Sequence, residues 1–187
     1  MRRLTSPRRL SAPTRPRRLA HGLLCAALLL TLSPAAMALD AIVIRVSDGD
    51  TLWLRTAPGK RPLRVRLQGI DAPELCQPGG TEARAALEAL ALGRRVQLRS
   101  GPPDRYGRPL VHLQRAGTDL ASEMVRQGWA WSDNYRGRPG PYAATERAAR
   151  AAQRGLFATP AAQAPWQFRQ QHGPCVGLPP SHTHPVP

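Results

Sequence analysis

The order of short strands and helices is the feature that most limits what this chain can fold into. β-Branched runs and alternating apolar residues, separated by turn-forming residues, predict five strands at 41–46, 51–55, 63–70, 95–98 and 108–114. Amphipathic segments with capping residues predict three helices at 80–92, 119–127 and 141–154. Glycine and proline at 101–104 predict a loop before the fifth strand. One helix between the third and fourth of five strands is the order of a five-stranded OB-type β-barrel, although other α+β folds share it.

Residues 1–38 have the composition of an export signal rather than of a folded segment. Seven arginines and no acidic residue precede or flank an apolar run at 19–32, and the small-residue triplet Ala36-Met37-Ala38 follows. This order is typical of a signal peptide with its cleavage site, and the apolar run is too short for a confident membrane span. An amphipathic targeting peptide or a misassigned start would give a similar pattern. We expect an exported protein, periplasmic or secreted, with no stable membrane span after cleavage.

The net positive charge of the chain indicates which classes of partner it attracts. The chain has 27 basic and 12 acidic residues, and Lys60 is its only lysine. Without residues 1–38 it keeps 20 basic and 12 acidic residues, a formal charge of +8. Arginine-rich surfaces attract nucleic acid, anionic lipid or acidic polymers, but an arginine-favouring genome would give the same count.

The remaining chain divides into a domain and a tail. Residues 39–158 carry the predicted strands and helices, and residues 159–187 form a tail rich in Pro, Gln and His. Two cysteines remain, Cys76 and Cys175. An even count in an exported protein is compatible with a disulfide, and two unrelated thiols are the alternative.

Two acidic clusters follow the ends of predicted strands. Asp48 and Asp50 flank a glycine at a turn, which alone indicates a hairpin but also offers hard oxygen ligands of the kind that calcium prefers. Asp71 and Glu74 follow the third strand, in which Arg66 faces away from the apolar side. A solvated arginine face beside acidic turn residues would have the same pattern. Alternating arginines next to acids, with a proline between the acids, favour a paired and preorganised site.

A third cluster precedes the fifth strand. Arg105 supplies a cation for phosphate and Tyr106 a ring for stacking on sugar or base, although Gly107 also suits a simple turn.

Taken together, these segments resemble the thermonuclease (staphylococcal-nuclease-like) family over roughly residues 41–157. Three motifs carry the resemblance in order: Val46-Ser47-Asp48-Gly49-Asp50-Thr51, then Arg66-Leu67 to Asp71-Ala72-Pro73-Glu74, then Asp104-Arg105-Tyr106-Gly107-Arg108. Weaker matches follow at 124–130, 146–150 and 155–157. The resemblance implies an OB-type barrel and a calcium-dependent nuclease that acts on both DNA and RNA.

The resemblance also implies a role for each matching residue. Asp50 and Asp71 correspond to the calcium-ligating carboxylates, Ala72 to a ligand through its carbonyl, and Asp48 to a carboxylate that holds the ion through water. The family often has Thr at the position of Ala72, and a main-chain ligand tolerates the change.

The remaining matches concern phosphate and base chemistry. Glu74 corresponds to the proposed general base, Arg66 and Arg108 to phosphate-binding arginines, and Tyr106 to a residue that lines the nucleotide pocket. Two departures concern substrate contacts: the loop after Glu74 is short, and no tyrosine aligns after the second helix, where Trp131, Tyr135 or Tyr142 would have to serve.

We therefore expect an exported, monomeric, calcium-dependent nuclease with little sequence specificity. The alternative is a non-catalytic OB-fold protein that binds single-stranded nucleic acid, which has no need of the acidic cluster. A third hypothesis is an envelope-surface protein that binds anionic lipid, but the sequence predicts no amphipathic helix with a strongly basic face to support it.

Overall fold

The computed structural model describes residues 39–104, 107–134, 137–173 and 175. In these residues the strands are β1 (Leu39–Val46), β2 (Thr51–Arg55), β3 (Leu63–Leu67), β4 (Ile70–Asp71), β5 (Arg95–Pro103), β6 (Pro109–Arg115), β7 (Thr118–Asp119) and β8 (Trp131–Ser132). The helices are α1 (Gly80–Ala91), α2 (Leu120–Arg126), α3 (Ala143–Ala151) and α4 (Pro165–His172). A turn of 3-10 helix, Gly155–Ala158, lies between α3 and α4. The predicted signal peptide, 1–38, lies outside the described residues.

Five of these strands close into a barrel. β1 pairs antiparallel with both β2 and β5, β2 with β3, and β5 with β6. The parallel pairing of β3 with β6 joins the two ends of this sheet, with Arg66 opposite Leu110. The predicted α+β fold with a five-stranded OB-type barrel is therefore confirmed. β4 and β8 form a separate two-stranded sheet beside it.

Alternation along the strands fills the barrel as the sequence predicts. Val65 and Leu67 of β3 are fully buried, and Arg66 between them lies on the opposite face. α1 covers the barrel with a stripe that includes Leu87 and Ala91, both inaccessible to solvent. Asp119 caps α2 as predicted, because its side chain accepts a hydrogen bond from the backbone N–H of Ser122.

The largest differences from the predicted boundaries are at three places. The loop predicted at 101–104 is wrong for its first three residues, because β5 continues to Pro103 across a register shift that accommodates the prolines. The strand predicted at 63–70 is interrupted at Gly69, whose φ of 81° turns the chain. α3 ends at Ala151, earlier than predicted, and Gln153 beyond it has a φ of 49°.

The structure has a fourth helix where three were predicted. α4 lies within the tail predicted at 159–187 and begins with a proline at a position that helices tolerate well. Its Phe168 is buried, so the helix is packed against the rest of the protein. None of the helices in the described part of the chain combines the length and apolar character needed to span a membrane.

Candidate active site

The turn between β1 and β2 directs Asp50 into the protein. A carboxylate oxygen of Asp48 accepts hydrogen bonds from the backbone N–H groups of Asp50, at 3.0 Å, and Thr51, at 2.7 Å. A Cβ at Gly49 would lie 2.7 Å from the Cβ of Ala72, so only glycine allows the turn to approach so closely. The Asp50 side chain is consequently buried, with 2% of its residue exposed.

Asp50 is tied to the segment that follows β4. Its Oδ1 accepts from the Thr51 hydroxyl at 2.9 Å, and its Oδ2 accepts from the backbone N–H of Ala72 at 3.1 Å. Ala72, predicted to act through its main chain, therefore lies directly beside Asp50. The turn of the first motif and the acids of the second thus meet in space.

Asp71 is held in place by the small second sheet. It pairs with Trp131 of β8, and only 7% of the residue is exposed. Trp131 is buried in turn and packs edge-on against Phe157, with ring centroids 5.2 Å apart. Asp71 therefore rests on a packed support rather than on a free loop.

Three aromatic residues were candidates for the position after the second helix at which the family has a tyrosine. Trp131 belongs to the core. The Tyr142 hydroxyl donates to a carboxylate oxygen of Asp119 at 3.1 Å. Burial and the charge of Asp119 raise the pKa of Tyr142 above its ordinary value. Tyr135 lies outside the described residues.

Arg66 bridges the two buried carboxylates. Its Nη2 atom lies 2.8 Å from Oδ2 of Asp50 and 2.9 Å from Oδ1 of Asp71. The charge of Asp50 raises the pKa of Arg66 and outweighs the opposing effect of burial, and Asp71 adds to the increase. The two acids thus converge on one cationic group.

Glu74 is positioned by its backbone. A Cβ at Gly80 would lie 2.0 Å from the Glu74 carbonyl oxygen, so the first residue of α1 must be glycine for the two segments to touch. Gln77 donates its backbone N–H to the same carbonyl at 2.8 Å, and its side-chain oxygen accepts from the Glu74 N–H at 3.3 Å. The proposed base thus sits on a compact turn.

A second arginine, Arg169 of α4, reaches the same acids. Its guanidinium makes a two-point contact with Asp71, with Nη2 at 2.9 Å from Oδ2 and Nη1 at 3.1 Å from Oδ1. The same Nη1 lies 3.0 Å from Oε1 of Glu74. Burial alone would lower the pKa of Arg169, but the hydrogen bonds and charges of Asp71 and Glu74 outweigh it and raise the pKa. Arg169 therefore links the proposed metal ligand to the proposed base.

Arg108 directly precedes β6, the strand that pairs with β3. It comes two residues before Leu110, the residue opposite Arg66 in the sheet. Its Nε lies 2.8 Å from Oδ2 of Asp104, and its backbone N–H donates to Oδ1 of the same carboxylate at 2.9 Å. Arg105 and Tyr106, predicted to bind nucleic acid, lie outside the described residues.

Burial and neighbouring charge change how readily two acids of the cluster ionise. Burial and the neighbouring Asp50 charge raise the pKa of Asp48 to about 7. Desolvation, followed by the charge of Asp71, also raises the pKa of Asp133, which directly follows β8. A cation bound beside these carboxylates would favour their ionised forms, so the cluster is suited to an added positive charge.

The donor set fits a hard divalent cation. Calcium prefers carboxylate and carbonyl oxygens and water at about 2.3–2.6 Å. Asp50 and Asp71 already present one oxygen each to a single guanidinium nitrogen, with the Ala72 backbone alongside. Residues 39–104, 107–134, 137–173 and 175 contain no group of three or more His, Cys, Asp or Glu side chains arranged to hold a metal. A cation at the Asp50–Asp71 pair would therefore complete its coordination with main-chain carbonyl and water.

Sequence reasoning missed Arg169 and Asp133. The signal for Arg169 lay in the cysteines, since the structure joins Cys76 and Cys175 by a disulfide with a Cα–Cα distance of 5.8 Å. Cys76 is two residues beyond Glu74, so that bond necessarily brings the tail to the acidic cluster. No comparable signal in the sequence marks Asp133.

Comparison with known proteins finds nucleases among the similar sequences. The family model of staphylococcal nuclease homologues matches residues 64–159. Protein ParB of Escherichia coli is 36% identical over 156 residues, which cover 78% of this chain and 87% of ParB. A micrococcal nuclease of Shigella flexneri is 37% identical over 139 residues, 68% of this chain and 79% of the relative. An uncharacterized endonuclease of Haemophilus influenzae is 35% identical over 129 residues, 69% and 72% of the two chains.

Proposed function

Because the chain belongs to the family of staphylococcal nuclease homologues, we propose that it is an exported, calcium-dependent nuclease that hydrolyses phosphodiester bonds of DNA and RNA. The observation that carries the proposal is the convergence of Asp50 and Asp71 on Arg66, with Glu74 linked to Asp71 through Arg169. Buried acids, a partly exposed base held by Arg169 and guanidinium donors in one place are the groups that phosphodiester hydrolysis needs.

Calcium is the cation that we assign to the acid pair. Asp50, Asp71 and the Ala72 carbonyl would hold it, with Asp48 acting through water. When bound, calcium supplies positive charge to a phosphate oxygen and to the developing charge of the transition state. The hard oxygen donors and the excess of acid over base in the cluster support this choice.

Residue roles follow from chemistry and position. Glu74 accepts the proton of the attacking water. Its side chain is 30% exposed, so solvent can reach the carboxylate. Without substrate, Arg66 contacts Asp50 and Asp71 through one nitrogen. Its other N–H groups would donate to a bound phosphate. Arg108 has the same planar donor group and serves the phosphate from its position just before β6.

Little sequence preference is expected. Contacts from guanidinium and calcium go to phosphate oxygens, which are the same for every base and in both DNA and RNA. The formal charge of +8 without residues 1–38 adds a salt-dependent attraction that also ignores sequence.

The deciding assay is digestion by the protein purified without residues 1–38. Single- and double-stranded DNA and RNA are incubated with calcium, with magnesium and with a chelator. We expect degradation of all four substrates with calcium and none with the chelator. Salt-sensitive binding without cleavage would instead support the non-catalytic OB-fold alternative.

The proposed base has its own test. Glu74→Gln keeps an oxygen that can accept from Arg169 but removes proton acceptance, so kcat should fall on the order of 10²–10³-fold while the fold is kept. Glu88→Gln is the matched control, because Glu88 pairs with Arg84 on α1 outside the site. Unchanged kcat in Glu74→Gln would remove Glu74 from the mechanism.

Export is tested separately. Expression of the full chain in a bacterial host, followed by N-terminal sequencing of the periplasmic and medium fractions, should give a mature protein that begins at Leu39. Retention of residues 1–38 in a cytoplasmic protein would contradict this part of the proposal.

A further inference from the structure

Helix α4 and the turn that carries Glu74 are joined at three points. The disulfide connects Cys76, two residues after Glu74, with Cys175, six residues after Arg169. The Gln77 side chain donates to the carbonyl of Gln163, just before α4, at 2.7 Å. Arg169 itself donates to Glu74 at 3.0 Å. The helix and the turn are therefore held together by a covalent bond, a side-chain hydrogen bond and an ion pair.

Arg169 makes more contacts with Asp71 and Glu74 than are needed to pack α4 against the protein. Both oxygens of Asp71 accept from its guanidinium, and a third contact goes to Glu74. A planar two-point guanidinium–carboxylate contact fixes orientation as well as distance. A residue needed only to dock α4 would not have to reach these two carboxylates, because Phe168, the disulfide and Gln77 already anchor the segment.

We propose that Arg169 is a positioning residue of the nuclease site, which fixes Glu74 relative to Asp71 and weakens the hold of the acidic cluster on its cation. This inference rests on the proposed function. It assigns Arg169 no contact with substrate. It also makes the C-terminal helix part of the site, although the matched family region ends at residue 159.

The two effects have opposite consequences, which makes the role testable. Positioning of Glu74 favours turnover, because small displacements of a base are costly in rate. The positive charge of Arg169, in hydrogen-bond contact with Asp71, opposes a second cation at the same carboxylate. Loss of Arg169 should therefore slow the reaction and tighten calcium binding at once. Loss of a merely structural residue would loosen the site and weaken both.

The experiment compares Arg169→Gln, Arg169→Lys and the unaltered protein, all without residues 1–38. Calcium affinity is measured by calorimetry in the absence of nucleic acid, and kcat and KM are measured on single-stranded DNA at saturating calcium. Arg84→Gln is the matched control, since Arg84 is a partly buried arginine 2.9 Å from one carboxylate, that of Glu88.

We expect Arg169→Gln to lower kcat about tenfold, with KM changed less than about twofold, and to lower the calcium Kd about tenfold. Arg169→Lys keeps the charge but loses the planar two-point contact, so its calcium Kd should stay close to that of the unaltered protein while kcat falls about threefold. Arg84→Gln should change neither quantity.

Unchanged kcat and calcium Kd in Arg169→Gln would overturn the inference, and so would weaker calcium binding together with slower turnover. If Arg169→Gln fails to fold, Arg169→Lys decides: lower kcat with an unaltered calcium Kd supports the role, and any other combination contradicts it. Failure of the proposed function is distinct, since the unaltered protein would then show no calcium-dependent cleavage at all.

Discussion

Two arginines donate hydrogen bonds to Asp71, and they arrive by different routes. Arg66 is five residues away in the sequence, on strand β3, and its side chain is 21% exposed. Arg169 is 98 residues away, on α4, and its side chain is 34% exposed. One is placed by strand register within the barrel, and the other by a helix attached to the outside of it.

Their acceptors differ as well. Arg66 links Asp71 inward to Asp50, the other proposed calcium ligand, through a single nitrogen. Arg169 links Asp71 outward to Glu74, the proposed base, and makes the two-point contact. The comparison indicates a division of work in which the barrel arginine, which contacts the proposed cation ligands, would serve the phosphate, and the helix arginine would position the base.

Asp71 is the residue that both arginines share, and its loss should have the largest effect. Asp71→Asn removes a proposed calcium ligand and halves the acceptor capacity that both guanidiniums use. We expect kcat/KM to fall at least about 10³-fold, because metal-ion stabilisation is worth several kcal/mol in the transition state. Calcium calorimetry should show the loss of binding directly.

Asp50→Asn is the comparison variant, since Asp50 contacts Arg66 and, within the described residues, forms no ion pair with Arg169. It should lose calcium binding to a similar degree but leave the Arg169–Glu74 contact in place. A smaller loss of activity in Asp71→Asn than in Asp50→Asn would contradict the sharing of Asp71 by both arginines.

Arg66→Gln should have the next largest effect. A phosphate-stabilising donor is lost, so we expect kcat to fall on the order of 10²–10³-fold, well beyond the tenfold expected for Arg169→Gln. Removal of one partner from a buried ion-pair group also leaves two carboxylates facing each other. The free energy of unfolding without calcium should fall by about 3 kcal/mol.

The check is thermal and denaturant unfolding with and without calcium. Since an added cation replaces the lost charge, calcium should stabilise Arg66→Gln more than it stabilises the unaltered protein. Equal effects of calcium on both proteins would show that Arg66 and the cation do not compete for the same acids.

The contrast between the arginines also shows what the sequence can and cannot predict. Alternation in β3 places Arg66 opposite the core-facing Val65 and Leu67, and a glycine between two acids predicts the turn that directs Asp50 inward. These are short-range rules. The barrel order and the meeting of Asp50, Asp71 and Arg66 could therefore be anticipated from local patterns and from the resemblance.

Long-range contacts could not be anticipated in the same way. The position of Arg169 depends on where α4 docks, and the hints in the tail, such as Pro165 and Cys175, do not specify that place. Likewise, β5 runs through Pro102 because its partner β6 and a register shift accommodate prolines, a feature of pairing that the local sequence does not contain. The catalytic, metal-binding and nucleic-acid-binding roles all stay predictions, those of Asp48, Asp50, Arg66, Asp71, Ala72, Glu74, Arg105, Tyr106 and Arg108.

The smallest effect on activity should come from the disulfide that anchors the Arg169 helix. Cys76→Ser with Cys175→Ser removes a link across 99 residues, so the free energy of unfolding should fall by about 2–4 kcal/mol. Phe168 and the three contacts of Arg169 still hold α4, so kcat should fall only about threefold, less than in Arg169→Gln. Reduction of the unaltered protein by dithiothreitol should reproduce both changes and leave the double serine variant unaffected. If kcat instead fell as far as in Arg169→Gln, the disulfide alone would hold the arginine at the acids. The packing of α4, which distinguishes Arg169 from Arg66, would then make no contribution to catalysis.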